Sequence, residues 1–292
     1  MLHDLVFHND RILPMTQVRL SPGQAGVING WGVFSTLRIY EGWPFAFERH
    51  WDRLMTDARR LQIPTQYPMA EVRAQLLALM AVNGVSSGCA RIYLIYNKIG
   101  IWHSEEPMRD VDLLMYTSDL PSRTGTARLA LTPNSRHAAH PLAGVKVISW
   151  LSNAWVFEQA HQRGFDDALL LNEHGHVSEC TAANIYWVSG GTVFTPPLSA
   201  GCLPGVTRQV LLDVAAQAGY PVVQEAAEFE AVKNADEVFI TSTTRQVQGV
   251  SRIQESEFSN APGPVTTRLA KLFSDYVADE VARSRAGLAA RG

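Results

Sequence analysis

Apolar and polar positions in the first third of the chain predict strands and then helices. Residues 32–40 (GVFSTLRIY) alternate as a half-buried strand does, and residues 43–47 are expected to return beside them after the Glu41-Gly42 turn. Shorter apolar runs predict further strands at residues 2–7, 91–96 and 111–116. Helical spacing of apolar positions predicts helices at residues 48–61 and 69–82.

The composition changes at residues 119–127, which are rich in Pro, Ser, Arg, Thr and Gly. We interpret this stretch as a linker between a domain of residues 1–118 and a domain of residues 128–292. The second domain has strand patterns at residues 128–132, 145–149, 168–171, 185–188 and 237–241. It has helix patterns at residues 151–163, 208–218 and 267–281. Strands and helices are mixed without strict alternation, which predicts the α+β fold class.

Composition and charge narrow the class of protein. The chain has 292 residues, of which 46% are apolar and 18% charged, so it is long enough to bury a sizeable core. A formal charge of −3 gives no basic field for nucleic acid, and no apolar run is long enough to span a membrane. The N-terminus lacks a secretory pattern, and three distant cysteines are expected to be reduced thiols. These features predict a cytoplasmic protein.

Lys146 is a candidate for chemistry because of its surroundings. Only four of the 25 basic residues are lysines, and Lys146 stands in the apolar stretch LAGVKVIS. Burial costs an ammonium group its hydration and favours the neutral amine, which is the form that attacks a carbonyl carbon. A lysine on the solvent face of an edge strand explains the pattern equally well, so this segment alone leaves both interpretations open.

Other segments are candidates for binding an anion or a heteroaromatic nitrogen. Glu179 follows a turn and precedes a further apolar strand, where a carboxylate suits the wall of a flat pocket, although an exposed turn glutamate fits as well. LPGVTRQ (203–209) opens a predicted helix, and helix N-terminal amides bind phosphate. ITSTTRQ (240–246) offers hydroxyl groups at a strand end, and Arg53 offers a guanidinium group.

These stretches occur in a particular order along the chain. Lys146 is followed by ECTAAN (179–184), Thr195-Pro196, LPGVTR (203–208) and TSTTR (241–245), and is preceded by GVFSTLR (32–38) and HWDRL (50–54). The order resembles the class IV aminotransferases, the fold-type IV pyridoxal phosphate enzymes. That family includes branched-chain aminotransferases, D-amino-acid aminotransferases and aminodeoxychorismate lyases, and the resemblance covers about residues 30–250.

The resemblance implies a fold, a cofactor and residue roles. The implied fold has a small N-terminal α/β domain and a larger C-terminal pseudo-barrel domain, usually in a homodimer, with pyridoxal 5′-phosphate as cofactor. Lys146 matches the lysine that forms the Schiff base, and Glu179 matches the carboxylate facing the pyridine nitrogen. The implied phosphate ligands are Arg53, Val206, Thr207 and Thr243, and Leu203 matches a residue packed on the cofactor ring.

The reaction implied is the transfer of an amino group between an amino acid and a 2-oxo acid, with a branched-chain type favoured. FSTLR (34–38), LAGVK and ECTAANIYW resemble the lyases, whereas TSTTRQV (241–247) resembles the aminotransferases, so a lyase that releases 4-aminobenzoate and pyruvate is the alternative. The Arg-x-His of the D-amino-acid enzymes is not reproduced around residues 98–103. Candidate substrate-binding residues are Phe34, Arg38, Tyr93, Tyr96, Lys98, Ala182, Thr244 and Arg245.

Three alternatives of other kinds fit the sequence less well. A non-catalytic relative that uses the cleft for binding is disfavoured by the presence of both Lys146 and Glu179. The closely spaced histidine pairs, 137/140 and 174/176, have no cysteine or acidic partner at ligand spacing, so no metal is predicted. The stretch Gly30-Trp31-Gly32 lacks a third glycine and precedes a strand, which does not fit a dinucleotide-binding loop.

Overall fold

The computed structural model describes residues 1–20, 24–98, 109–123 and 125–289. Its mixture of helices and strands confirms the predicted α+β class. The chain forms two compact units. Unit 1 contains Met1–Pro121, Val145–Trp150 and the residues from Asp279 onward, and unit 2 contains Ser122–Gly144 and Leu151–Ala278. The predicted domain boundaries stay a prediction, but the units group the segment around Lys146 with the N-terminal part of the chain.

Unit 1 is built on a six-stranded antiparallel sheet with the order β2-β1-β6-β5-β3-β4. Its strands are β1 (Leu2–His8), β2 (Arg11–Pro14), β3 (Gly32–Tyr40), β4 (Trp43–Pro44), β5 (Gly88–Tyr96) and β6 (Val111–Ser118). Its helices are α1 (Ala25–Asn29), α2 (Phe47–Arg60) and α3 (Met69–Val82), with a 3-10 turn at Met15–Gln17.

The two faces of this sheet differ. Side chains alternate along β3, so that Val33 and Leu37 are fully buried in the core with Leu54 of α2 and Leu76 of α3, while Phe34 lies on the opposite face and is half-buried. The period-2 pattern of residues 32–40 therefore gives the strand that was predicted, because one of its faces is packed against helices.

Two predicted strands are not formed as expected. Of residues 43–47 only Trp43–Pro44 pair with β3, because Ala46 adopts a left-handed conformation (φ 53°) and α2 starts at Phe47. The strand predicted at residues 145–149 is wrong, because this segment makes only a single bridge, Val147 to Val33. Ile148 N donates to the Gly32 carbonyl there, and a Cβ on Gly32 would lie 2.8 Å from the Ile148 side chain, so glycine permits this approach.

Unit 2 contains a nine-stranded mixed sheet. Eight strands follow the order β12-β11-β10-β13-β14-β7-β8-β9, and β15 pairs with β14. The strands are β7 (Ala127–Arg136), β8 (Asp167–Asn172), β9 (Val177–Cys180), β10 (Asn184–Ser189), β11 (Thr192–Thr195), β12 (Val222–Gln224), β13 (Glu237–Ser242), β14 (Gln246–Ile253) and β15 (Ser256–Glu257).

Three helices of the second half lie at predicted positions, and a short fourth helix, α6 (Phe229–Lys233), was not predicted. They are α4 (Leu151–Gln162), α5 (Val206–Gln217), α6 (Phe229–Lys233) and α7 (Pro264–Ala289), with a 3-10 turn at Leu198–Ala200, and the last turns of α7 belong to unit 1. None of the described helices combines the length and apolarity needed to cross a membrane. The cysteines Cys89, Cys180 and Cys202 are free and buried.

Candidate functional site

Lys146 lies beside the edge of β3 in unit 1. Phe34 N donates to the Lys146 carbonyl (3.0 Å), and Lys146 N donates to Asp57 Oδ2 of α2 (3.2 Å). These two bonds fix the backbone of a segment that has no regular structure of its own. The side chain is half-buried, and its Nζ lies 4.5 Å from the centre of the Phe34 ring. The ammonium form thus gains a cation–π contact from a ring on the same face of the sheet.

Arg53 occupies the core-facing side of α2 and is 9% exposed. It donates from Nη2 to Ser35 Oγ (3.1 Å), and its buried Nε has no hydrogen-bond partner among the described residues. Burial lowers the pKa of Arg53 to about 10, while the nearby charge of Asp57 acts in the opposite direction. Arg53 therefore remains a cation at neutral pH and keeps an unused donor.

His50 lies one helical turn before Arg53 and is buried. Its Nδ1 is 2.9 Å from Ser35 Oγ. Because Arg53 donates to the same oxygen, the Ser35 hydroxyl hydrogen is available for Nδ1 of a neutral imidazole. Burial holds the pKa of His50 well below its usual 6.5, and the charges of Arg53 and Lys146 lower it further. We call His50, Arg53, Asp57, Ser35 and Lys146 the lysine cluster.

The candidate substrate residues of unit 1 fall into two groups. Phe34 and Tyr93 are stacked 5.3 Å apart on the face that carries Lys146 Nζ, and the Arg38 guanidinium lies 5.0 Å from the centre of the Tyr40 ring. Tyr96 instead packs against the core of unit 1, and Lys98 pairs with Asp110 at 2.9 Å where both side chains are about half exposed. We therefore retain only the first group as substrate candidates.

Glu179 lies within β9 of unit 2, not between strands as its sequence context suggested, and is 7% exposed. Arg136 binds its Oε1 through Nε (3.1 Å) and Nη2 (2.9 Å), and Leu203 N donates to Oε2 (3.0 Å). Arg136 also donates to Asn153 Oδ1 of α4 (2.9 Å). A buried carboxylate is stabilised by such a pairing, and its direction is fixed at both oxygens. We call Glu179, Arg136, Leu203 and Asn184 the glutamate cluster.

Hydrogen bonds fix both backbone polar groups of Leu203. Its N–H donates to Glu179, and its carbonyl accepts from Asn184 Nδ2 (2.9 Å). Gly205 follows as the N-terminal cap residue of α5, and a Cβ at that position would lie 2.2 Å from Asn184 Oδ1. The glycine is thus required by the asparagine that orients Leu203, which explains why LPG precedes the helix.

Val206 and Thr207 form the first turn of α5, and both are buried. The N-terminal cap residue of α5 is Gly205, which has no side chain. The backbone amides of the first turn are therefore not bonded to a cap side chain. Helix N-terminal amides carry a partial positive charge that favours anions. The predicted phosphate role of Val206 and Thr207 stays a prediction that this geometry supports.

The turn after β13 carries the remaining candidates. Thr243 and Thr244 are half-buried in it, and Ala182 is exposed in the turn between β9 and β10. Arg245 is buried, and its Nη2 lies 3.2 Å from Asp167 Oδ2, with side-chain exposures of 2% and 0%. The charge of Arg245 is balanced within unit 2, so we do not retain it as a substrate residue.

Several of these residues were not found from the sequence. His50 and Asn184 stand inside the stretches HWDRL and ECTAAN, so attention to every polar position of those stretches would have found them. Arg136 and Asp57 had no comparable signal, because their partners lie 43 and 89 residues away along the chain. Among the described residues, no group of three or more His, Cys, Asp or Glu side chains is arranged to hold a metal ion.

Comparisons with known proteins identify the family and the fold. The model of the family "Amino-transferase class IV" matches residues 32–253. Aminodeoxychorismate lyase of Bacillus subtilis (strain 168) is 27% identical over 281 residues, covering 94% of this chain and 94% of the lyase. D-alanine aminotransferase of Listeria innocua serovar 6a is 27% identical over 295 residues, covering 96% of each.

A solved structure shows the same fold. The branched-chain amino acid aminotransferase of T.th., determined with pyridoxamine 5′-phosphate, superposes with a TM-score of 0.86 at 24% identity and covers 95% of each chain. Its identity to this chain is low enough that the likeness is one of fold. The family match extends across the segments that carry the lysine cluster and the glutamate cluster. This protein therefore belongs to the class IV aminotransferase family.

Proposed function

We propose that this protein is a pyridoxal-5′-phosphate-dependent aminotransferase that moves an amino group between an amino acid, of branched-chain type, and a 2-oxo acid. The observation that carries the proposal is the lysine cluster. It sets a half-buried lysine over an aromatic ring, in the same unit as a buried arginine with an unused donor. Membership of the family supplies the reaction class.

The residues present fit this cofactor. A phosphate group would satisfy the buried Nε of Arg53, and the start of α5 at Val206 and Thr207 offers amides to an anion. Glu179, fixed by Arg136 and Leu203, would present its carboxylate to a protonated ring nitrogen. We include Thr243 among the phosphate ligands and Leu203 as the residue against the ring. The T.th. relative was determined with the pyridoxamine form of the same cofactor.

The chain's own groups then have distinct tasks. When bound, the cofactor supplies an electron sink for the bond that breaks at the α-carbon of the substrate. Lys146 Nζ would hold the cofactor and, as a free amine, would take the proton from the substrate α-carbon and return it as general acid. The Glu179 carboxylate would keep a proton on the ring nitrogen. Arg53 would hold the phosphate, so that the lysine need not anchor the cofactor during the reaction. Phe34, Arg38 and Tyr93, with Ala182 and Thr244 of unit 2, are proposed to contact the substrate.

A second candidate function is favoured by one specific observation. The B. subtilis relative is an aminodeoxychorismate lyase, and FSTLR and ECTAANIYW resemble that branch. A lyase uses the same proton transfer by Lys146 but releases 4-aminobenzoate and pyruvate. The two reactions differ in their products, so product analysis separates them.

We also propose that the protein is cytoplasmic and acts as a homodimer, as its family resemblance implies. One face of α4 supports the second proposal, because Leu151 and Trp155, one helical turn apart, are 79% and 64% exposed. Sedimentation equilibrium of the purified protein tests it, and a monomer at micromolar concentration contradicts it.

Replacing Lys146 by alanine tests the proposed function. We expect Lys146→Ala to remove the visible absorbance of lysine-bound cofactor and to lower turnover by about 10⁴-fold or more, since the variant lacks the amine that takes the α-proton. The measurement is a spectrum of each purified protein, followed by incubation with single L- and D-amino acids. The matched control is Lys271→Ala, since Lys271 is an exposed lysine paired with Asp275, and it should behave as the parent protein does.

The same experiment separates the candidates. Conversion of the cofactor to its amine form by L-leucine or L-glutamate supports the aminotransferase. Pyruvate release from aminodeoxychorismate, with no conversion by amino acids, supports the lyase. A Lys146→Ala protein that keeps both absorbance and turnover contradicts the proposal.

A further inference from the structure

Unit 2 has a cavity whose wall is rich in arginine. The open cavity has a volume of about 370 Å³, and its lining includes Arg128 of β7, Arg163 after α4 and Arg252 of β14. Among the described residues that line it, Glu255 is the one carboxylate beside these three guanidinium groups. Cavities of a few hundred Å³ hold small molecules, so this one is large enough for a ligand. Its excess of positive charge favours an anion.

Two of these arginines are direct neighbours in the sheet. The strands β14 and β7 run parallel, and their register pairs Arg252 with Arg128. Neighbouring strands lie about 4.8 Å apart, and like charges directly opposite one another destabilise a sheet. On its other side Arg252 is paired with Glu257 of β15, which is exposed and therefore supplies only a solvent-screened counter-charge. An anion bound between the two guanidinium groups would remove their repulsion.

The Phe165 ring lies beneath Arg163 and Arg252. It is 9% exposed and packs in a small core with Leu170, and the two guanidinium carbons lie 5.4 Å and 5.8 Å from its centre. Gln254 accepts from both arginines, through Oε1 from Arg163 Nη2 (2.9 Å) and through its carbonyl from Arg252 Nε (2.6 Å). One buried ring and one glutamine thus position both guanidinium groups, so little side-chain freedom is lost when an anion binds.

The nearby carboxylates offset these arginines only in part. Asp166 Oδ2 lies 3.6 Å from Arg128 Nε, which is too long for a strong hydrogen bond. Glu255 Oε2 lies 3.2 Å from Arg252 Nη2, but the Glu255 side chain is 83% exposed, and such surface pairs are weak. Within the described part of the chain, Arg163 forms no ion pair with a carboxylate. The cavity therefore keeps guanidinium donors for a ligand.

We propose that Arg128, Arg163 and Arg252 form a binding site for a diphosphate group, either free or as part of a nucleotide. One phosphate would lie between the arginines of the neighbouring strands, and the second would reach Arg163 above Phe165. All of these residues belong to unit 2, and none is part of the lysine cluster or the glutamate cluster. The inference therefore does not depend on the proposed function.

The arrangement of the arginines favours phosphate over carboxylate. The oxygens of a phosphate group point in tetrahedral directions, so one group can accept from guanidinium groups on two neighbouring strands. A planar carboxylate instead matches the fork of a single guanidinium group. The register pair of Arg252 and Arg128 is of the first kind, and Arg163 extends the site beyond one phosphate.

Calorimetric titration of the protein saturated with pyridoxal 5′-phosphate tests the proposal. The probes are pyrophosphate, inorganic phosphate and malonate, of which malonate carries two carboxylates at a similar spacing. Pyrophosphate should bind at least about tenfold more tightly than inorganic phosphate, because only the diphosphate reaches all three arginines. It should exceed malonate by about the same factor. Equal affinities for pyrophosphate and malonate, or no binding of pyrophosphate, would overturn the proposal.

Variants of the cavity locate the binding site. Arg163→Gln and Arg252→Gln should each weaken pyrophosphate binding by about tenfold or more, because each removes charge-assisted hydrogen bonds. Arg163→Lys keeps the charge but not the planar fork and should lie between Arg163→Gln and the parent. The matched control is Arg268→Gln, since Arg268 is an exposed arginine of unit 2 outside the cavity. Parent-like affinity in Arg163→Gln, or an equal loss in Arg268→Gln, contradicts a site at the cavity.

Titration with ADP distinguishes the two sources of a diphosphate group. Affinity for ADP at or above that for pyrophosphate supports a nucleotide, and weaker affinity supports a free diphosphate.

The visible absorbance of lysine-bound cofactor, recorded during each titration, separates this site from the cofactor site. It should not change as pyrophosphate is added, because neither Lys146 nor Arg53 lines the cavity. Loss of the absorbance on addition of pyrophosphate would assign the binding to the phosphate site of the cofactor and overturn the proposal. Its absence from the parent protein before the titration contradicts only the proposed function.

Discussion

Two fully or partly buried arginines of unit 1 and two of unit 2 meet the cost of a buried positive charge in different ways. In unit 1, Arg53 and Arg91 donate only to hydroxyl groups, and each has a buried Nε without a partner among the described residues. In unit 2, Arg136 and Arg245 bind carboxylates at 2.9 Å and 3.2 Å. Unit 2 therefore pairs these two guanidinium groups directly with carboxylates, whereas no described carboxylate of unit 1 forms an ion pair with Arg53 or Arg91, and Asp57 acts on Arg53 only through its nearby charge.

The difference indicates which arginines are structural and which bind ligands. Removing one partner of a buried ion pair leaves an uncompensated charge and strongly destabilises the folded state. A cation whose counter-charge arrives with a ligand costs the protein stability in the ligand's absence, so its replacement by an apolar group of similar size is expected to be tolerated. The same residue type should thus give opposite results at Arg245 of unit 2 and at Arg53 of unit 1.

The largest effect is expected at Arg245. Arg245→Leu leaves Asp167 buried and negatively charged, although Asp167 still accepts from Thr181 N at 3.1 Å. We expect the free energy of unfolding to fall by about 3–5 kcal/mol. Urea unfolding of parent and variant, followed by tryptophan fluorescence, gives the measurement.

The matched control is Arg252→Leu, which removes a half-buried arginine of the same unit from its pair with the exposed Glu255. Such a surface pair contributes about 0–1 kcal/mol. A stable Arg245→Leu protein with a raised KM would reverse our conclusion, and would restore Arg245 as the substrate residue that its place after the threonine cluster suggested.

A smaller effect, on ligand binding and not on folding, is expected at Arg53. Arg53→Leu removes the buried Nε donor and the charge, so the dissociation constant of pyridoxal 5′-phosphate should rise by about 100-fold, equivalent to about 2.7 kcal/mol. The apo protein should lose far less stability than Arg245→Leu, because leucine suits a buried position on α2 and Asp57 still accepts from Lys146 N. Fluorescence titration with the cofactor measures the first quantity, and urea unfolding of the apo protein the second.

Arg59→Leu serves as the control on the same helix, because Arg59 is exposed. Unchanged cofactor affinity in Arg53→Leu contradicts the phosphate role. A large loss of stability in the apo protein contradicts the comparison between the units instead, since it would show that Arg53 is already compensated by the chain.

Elements with clear periodicity could be predicted from the sequence, because their pattern reflects one packed face. Residues 32–40 and 69–82 were predicted with the bounds that the structure has, and the helix predicted at 48–61 begins one residue earlier, at Phe47. The segment 145–149 was predicted wrongly because its apolar residues suggested a strand, whereas only Val147 bridges to β3. A periodic apolar pattern shows which residues of a segment are buried, but it does not show which strand edge the segment pairs with.

The residues of the candidate site likewise fall into those that the sequence could predict and those that it could not. Lys146, Arg53 and Glu179 could be named because they stand in ordered stretches of a known family. The pairing of Arg245 with Asp167, 78 residues earlier, could not be deduced, since nothing local distinguishes a basic residue that binds a ligand from one that is already paired. The same holds for Arg91, whose missing counter-charge becomes visible only when its neighbours on two other strands are known.

The smallest effect concerns His50, which is buried among the cations of unit 1. Burial, with the charges of Arg53 and Lys146, holds its pKa well below 6.5 in the folded chain, whereas in the unfolded chain it titrates near 6.5. The unfolded state therefore binds the extra proton first, so stability is fully present above pH 6.5 and falls as the pH is lowered. Between pH 7.5 and 5.5 this group should cost about 1.4 kcal/mol.

Comparing His50→Gln with the parent isolates this contribution, because glutamine does not titrate. Urea unfolding at pH 7.5, 6.5 and 5.5 should show a pH dependence about 1.4 kcal/mol smaller in the variant, whatever its absolute stability. His161→Gln, at an exposed position of α4 in unit 2, should keep the slope of the parent. Equal slopes in His50→Gln and the parent would mean that the pKa of His50 is the same in the folded and the unfolded chain. The folded chain would then accept a further positive charge beside Arg53 and Lys146 at no cost, and the contrast between the units would no longer hold.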